Sequence, residues 1–110
     1  MIVGACVVEL HIHDCQSLKA KRGVVRSIAQ RVRNRFNLSV SEVGGQDTWQ
    51  RCVLGLCAAG SDATTVRRSL ERAGEFIEGL HLAEVCAVDI EIVHLPHEEG
   101  WDPDDPGALE

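Results

Sequence analysis

The sequence predicts an α+β fold in which four strands form one antiparallel sheet with both helices on a single face. Three observations carry that expectation. Four segments alternate in hydropathy, two repeat their apolar residues every three to four positions, and the order is strand–helix–strand–strand–helix–strand. Two right-handed crossovers flanking a hairpin then give the ferredoxin-like βαββαβ arrangement.

Residues 2–12 alternate cleanly. Ile2, Gly4, Cys6, Val8, Leu10 and Ile12 fall on one face, with Val3, Ala5, Val7, Glu9 and His11 on the other. Ser17 has the character of an N-cap, and Leu18, Val25, Ile28, Val32 and Phe36 recur at helical spacing, predicting an amphipathic helix of about five turns. Residues 37–43 alternate as a short strand before Gly44-Gly45 opens a loop. A third strand runs through 51–57. Ser61 or Asp62 caps a second helix whose stripe is Val66, Leu70, Ala73, Ile77 and Leu80. Residues 84–95 make the last strand, with Cys86, Val88, Ile90 and Ile92 expected toward the core and Asp89 and Glu91 opposite. The domain is expected to span 1–95. The segment 96–110 has three prolines and no periodicity, and is expected to be a flexible acidic tail.

At 110 residues the chain fits one domain, able to bury about 60–70% of its unfolded surface. The five cysteines (6, 15, 52, 57 and 86) are odd in number and include no C-x-x-C pair. The first residues carry no basic signal-peptide start, and no apolar run reaches the ~20 residues of a membrane span. A reduced, cytoplasmic, soluble setting is expected. The net charge of −6 is unevenly spread. Of the 17 acids, six (Glu98, Glu99, Asp102, Asp104, Asp105 and Glu110) lie at the C-terminus, leaving 11 to balance the 11 lysines and arginines.

Metal or redox chemistry would draw on the stretch HIHDC. His11 and His13 are two apart on a strand and share a face, and Cys15 follows in the turn. A zinc site needs three or four convergent ligands. A further ligand would come from Glu9, Asp89 or His94, and the spacing singles out none of them. Cys52 and Cys57 are five apart on one strand, so they face opposite ways. No phosphate-binding loop, nucleophile elbow or H-E-x-x-H motif is present, and Ser17 near His13 is accounted for as a helix cap. A non-enzymatic role is expected, with no cofactor and no assigned metal.

Nucleic-acid binding has a stronger physical basis. Between Ser17 and Phe36 there are seven basic residues and no acid. On a helical wheel Lys19, Arg22, Arg26 and Arg33 form one stripe beside the apolar face, with Lys21, Arg31 and Arg35 on the other flank. The second helix is the control, because its Arg67, Arg68 and Arg72 are interleaved with Glu71, Glu75 and Glu78. Base stacking on the sheet is not expected, since neither Phe nor Trp falls on the central strands. The exposed sheet face instead mixes Val3, Ala5, Val7, Val53 and Val93 with Glu9, His11, Arg51, Asp89 and Glu91, which suits docking of a second copy.

The segments SLKAKRGVVRSIAQRVRNRFNLSVSEVG and GQDTWQRCVLGL carry a resemblance to the YlxP-like family, small bacterial proteins classed as a domain of unknown function. It covers residues 1–95. Its most specific parts are Ser17-Leu18-Lys19 with Lys21-Arg22, Asn34-Arg35-Phe36, Glu42, and the stretch from Gln46-Asp47 to Gln50-Arg51. The resemblance implies a ferredoxin-like fold and a bacterial cytosolic setting, with a gene often beside those for translation initiation and ribosome maturation. It brings no activity. His13 and Cys15 depart from the family pattern, which counts against either as a family-wide ligand.

The leading expectation is a non-enzymatic module that contacts RNA phosphates, with rRNA in ribosome assembly in view, through Lys19, Lys21, Arg22, Arg26 and Arg33. The alternative is a protein-interaction module. There, Val3, Val7, Val53 and Val93 pair copies into a dimer, while Gln46, Asp47, Trp49 and Arg51 meet a partner such as a ribosome-associated protein. A second alternative is a metal or redox site at His11, His13 and Cys15. No membrane partner is expected. The acidic tail is expected to fold over the basic helix and compete with RNA.

Overall fold

Six elements follow in the expected order: β1 (Ile2–His11), α1 (Leu18–Arg35), β2 (Ser39–Gly44), β3 (Arg51–Gly60), α2 (Ala63–Gly79) and β4 (Glu84–His94). They come from a computed structural model that describes residues 1–46 and 48–97; Asp47 and most of the expected tail, 98–110, lie outside the described residues. The strands form one sheet in the order β2-β3-β1-β4, and every neighbouring pair is antiparallel. This is the predicted α+β, ferredoxin-like arrangement. Among the described residues no helix is long and apolar enough to cross a membrane.

Local chemistry sets the helix starts. The Ser17 hydroxyl accepts from the Ala20 amide at 3.0 Å, and the Asp62 carboxylate accepts from the Thr65 amide at 2.9 Å. Each satisfies one of the amides that a first helical turn leaves without a partner. Between the two candidates for the second cap, Asp62 is the one used. Its carboxyl is held below the ordinary carboxylate range, chiefly by the hydrogen bonds from the Thr65 hydroxyl and amide.

The core lies between the sheet and the helices. Cys6, Val8 and Leu10 of β1 and Cys52, Leu54 and Leu56 of β3 meet Val25, Ile28 and Val32 of α1 and Val66, Leu70 and Ile77 of α2. Burying each such aliphatic side chain contributes about 1.5–3 kcal/mol, so this layer is the main source of stability. Gly4 sets how closely α2 can settle. A Cβ there would stand 2.6 Å from Val66 Cγ1 and 2.7 Å from Leu70 Cδ1.

Two departures from the sequence reading have physical causes. Strand β3 continues to Gly60, because Ala58, Ala59 and Gly60 pair with Gly4, Val3 and Ile2. Their small side chains make room for the start of α2 and carry little strand signal. Strand β4 is the second. Its register on β1 shifts between Glu9 and Leu10, so Glu9 faces Ala87 while Leu10 faces Val85. Cys86 is the extra residue of this bulge. It is exposed, not in the core as expected, and Val85 packs inward in its place.

Candidate functional site

The outer flank of α1 carries Lys19, Arg22, Arg26 and Arg33, all exposed. At 100° and 1.5 Å per residue they occupy an arc of about 60° and a length of about 21 Å. Helix α1 has no acid in its first turn and ends on Arg33 and Arg35. The ion pairs among the described residues are Arg51–Glu9, His11–Glu84 and His13–Glu84, and none involves α1. Arg33 leans over the sheet edge, where its Nη2 donates to the Val40 carbonyl at 2.6 Å. On the opposite flank Arg35 stacks over the Phe76 ring of α2, 5.3 Å from its centroid. The four-residue stripe therefore faces away from α2, beside the free edge of β2.

Lys21, expected among the phosphate contacts, is corrected by its burial. Only 2% of it is exposed. Its wheel position falls inside the apolar arc between Ile28 and Val32, and its Nζ donates to the Gly45 carbonyl. The same carbonyl accepts from the Thr48 amide at 3.1 Å, so both its lone pairs are engaged. Gly45 itself sits at φ +75, and a Cβ there would meet the Arg51 carbonyl oxygen at 2.7 Å. Lys21 thus pins α1 to the β2–β3 loop that bears Gln46 and Trp49, both exposed.

The face of the sheet away from the helices is open. Cross-strand pairing sets Val3 beside Ala59 and Val93, Val7 beside Gly55 and Asp89, and Glu9 beside Val53 and Ala87. Val7 and Val93 are 44% and 48% exposed, and Val3 and Val53 are half-buried. Val43 extends the apolar strip by lying over Gly55, where a Cβ would come 2.9 Å from its Cγ1. Arg51 is tied across this face to Glu9, with Nε donating to Oε1 at 2.8 Å.

A second cluster forms where β1 ends and β4 begins. His11 Nδ1 stands 3.2 Å from His13 Nε2, which stands 2.7 Å from Glu84 Oε2; His11 Nδ1 and that oxygen are 3.9 Å apart. The two imidazoles meet edge to face at 81°. Cys15, expected beside them, is 5% exposed and its thiol donates to the Ser17 carbonyl at 3.4 Å. It turns into the protein because Asp14, at φ 61, reverses the chain after His13. None of Glu9, Asp89 and His94 belongs to the cluster found here; Glu84 does. Sequence spacing held no signal for it, since it lies 71 residues from His13 and reaches His11 only through the β4 bulge.

Two thiols are shielded. Burial, then the Asp89 carboxylate, pushes Cys6 up to about 11 from an ordinary 9.0, and burial with the Glu42 carboxylate pushes Cys52 up to about 12. As expected, Cys52 and Cys57 face opposite ways, the first buried and the second exposed.

Residues 3–90 match the family described as Protein of unknown function (DUF503). The chain is 43% identical over 77 residues to the uncharacterized protein YlxP of Bacillus subtilis (strain 168), covering 70% of this chain and 84% of that protein. Among solved structures it is similar to a REP-associated tyrosine transposase bound to a REP hairpin, at 11% identity and a TM-score of 0.41. That likeness spans 86% of this chain and 57% of the other. At that score it has no bearing on function.

Proposed function

This chain belongs to DUF503, a family of proteins of unknown function, and we propose that it is a non-enzymatic module that binds RNA by its phosphates. One observation carries the reading. Lys19, Arg22, Arg26 and Arg33 line one exposed flank of α1 with no carboxylate paired to them among the described residues. Uncompensated charge at that density raises the local concentration of a polyanion and is neutralised by its backbone. Arg33 keeps most of its five donors free after its one bond to Val40. The central strands offer no Phe, Tyr or Trp ring for stacking, so the contact reads backbone and shape. RNA of the kind handled in ribosome assembly is the partner that suits such a surface and the gene setting implied by the resemblance.

The test is a binding titration with single-stranded RNA across a salt series. Four neutralised phosphates predict that log affinity falls against log salt with a slope of about −3. Replacing Arg22 and Arg26 by glutamate abolishes binding on this reading, while a salt-independent affinity rejects it.

The apolar strip on the open sheet face favours a second reading, pairing of two copies through Val3, Val7, Val43, Val53 and Val93. The two readings use opposite faces of the sheet and are compatible.

A further inference from the structure

We propose that His11, His13 and Glu84 form a binding site for a divalent first-row transition metal of the zinc class, with an open coordination position. The argument begins with hydrogens. His13 Nε2 is within contact distance of both His11 Nδ1 and Glu84 Oε2. An imidazole nitrogen presents one in-plane position, either an N–H or a lone pair. If Nε2 carries hydrogen, it donates to the carboxylate and leaves His11 Nδ1, 3.2 Å away, without a hydrogen of its own along that contact. If Nε2 carries a lone pair, it faces the carboxylate oxygen at 2.7 Å as acceptor against acceptor. If both imidazoles are protonated, two N–H groups oppose each other at 3.2 Å. A cation at the centre engages all three atoms at once, because each then directs a lone pair at it.

The dimensions agree. Zinc bonded to nitrogen and oxygen at about 2.0–2.1 Å in a tetrahedron has neighbouring ligand atoms about 3.3–3.4 Å apart. The edges of this triangle, 2.7, 3.2 and 3.9 Å, bracket that value, and small rotamer shifts in exposed side chains equalise them. Two imidazoles and one carboxylate are a donor set suited to zinc, iron(II), cobalt or nickel, and unsuited to calcium or magnesium.

Strand pairing holds two of the three residues in place. His11 and Glu84 are direct cross-strand partners because the β4 bulge brings Glu84 into register. The other cross-strand neighbour of His11, Arg51, has its charge balanced by Glu9 and adds no unopposed repulsion. His13 and Glu84 also line a cavity of about 570 Å³ beside the end of α2, together with Asp14, Glu78 and His81, which leaves room for a further ligand. Water or a small anionic ligand suits that open position.

The experiment uses the full chain, free of any polyhistidine tag and stripped of metal, titrated with zinc chloride by calorimetry and with cobalt(II) by absorption. One zinc per chain is expected. His13→Ala and Glu84→Gln each weaken it by more than about 100-fold, beyond the 10–100-fold that second-shell changes produce. A Cys57→Ser, Cys86→Ser double variant keeps it. Because His13 and Glu84 are exposed, the variants' melting temperature in chelator should match that of the parent, which separates lost ligation from lost folding. The cobalt spectrum should lack a thiolate charge-transfer band. Absence of uptake, uptake unchanged in His13→Ala and Glu84→Gln, or a thiolate band overturns the proposal.

Discussion

Two residues in the core, Cys6 and Cys52, tie stability to alkaline pH. Their thiols are raised to about 11 and about 12, whereas in the unfolded chain they ionise near 9.0. Below pH 9 both states hold the protons and the buried thiols contribute fully. Above it the unfolded state loses them first, and stability falls as pH climbs toward the folded values. The unfolding free energy from urea titrations should therefore drop between pH 8 and pH 10.5, by an amount on the order of 1 kcal/mol per thiol. A Cys6→Ala, Cys52→Ala variant should show a smaller drop, because the two thiols whose ionisation differs between the folded and unfolded chain are gone. The burial of these two was legible from the period-two pattern of β1 and β3. That of Cys15 was not, since its inward turn depends on the left-handed backbone at Asp14.

At the scale of elements, Lys21 shows why helix wheels mislead at the margin of a stripe. Its charge groups it with the exposed flank, although its angle lies between those of Ile28 and Val32. A long aliphatic stem can be buried while the ammonium finds a carbonyl at the rim. Here that carbonyl belongs to Gly45, so one side chain joins α1 to the β2–β3 loop. Lys21→Met should cost about 1.5–3 kcal/mol, the worth of a charged hydrogen bond, with faster amide exchange at Thr48. It should leave the RNA salt slope unchanged. Lys19→Gln should do the reverse, lowering the slope by about 0.7 at unchanged stability. The Ser17 cap and the order of the strands were legible, because each rests on a local pattern, while the second cap was narrowed only to Ser61 or Asp62. The β4 bulge was not, because it is a property of two strands together.

For the whole molecule, the two faces of the sheet present different chemistry. One carries the helices and, at its margin, the cationic flank of α1. The other is a valine strip crossed by Glu9–Arg51 and edged by Asp89 and Glu91. Light scattering should report a mass above the monomer for the parent chain. Glutamates at Val7 and Val53 should lower it to the monomer, with RNA affinity unchanged because α1 lies on the other face. A parent that is monomeric at high concentration ends the self-association reading. The division into a basic flank and an apolar sheet face was legible in the sequence. The meeting of His11, His13 and Glu84 was hidden, since it needs strand pairing across most of the chain's length.

The bulge at Cys86 acts as a change of reading frame between two strands. From Ile2 to Glu9 the partners on β4 keep one parity, and from Leu10 onward they keep the other. A single extra residue therefore decides two things at once: Val85 goes to the helices, and Glu84 goes to the histidines. The identity of that residue matters less than its being counted. The ligand set is thus written in the length of β4 rather than in a motif, and core and surface at this end of the sheet would gain or lose their order together.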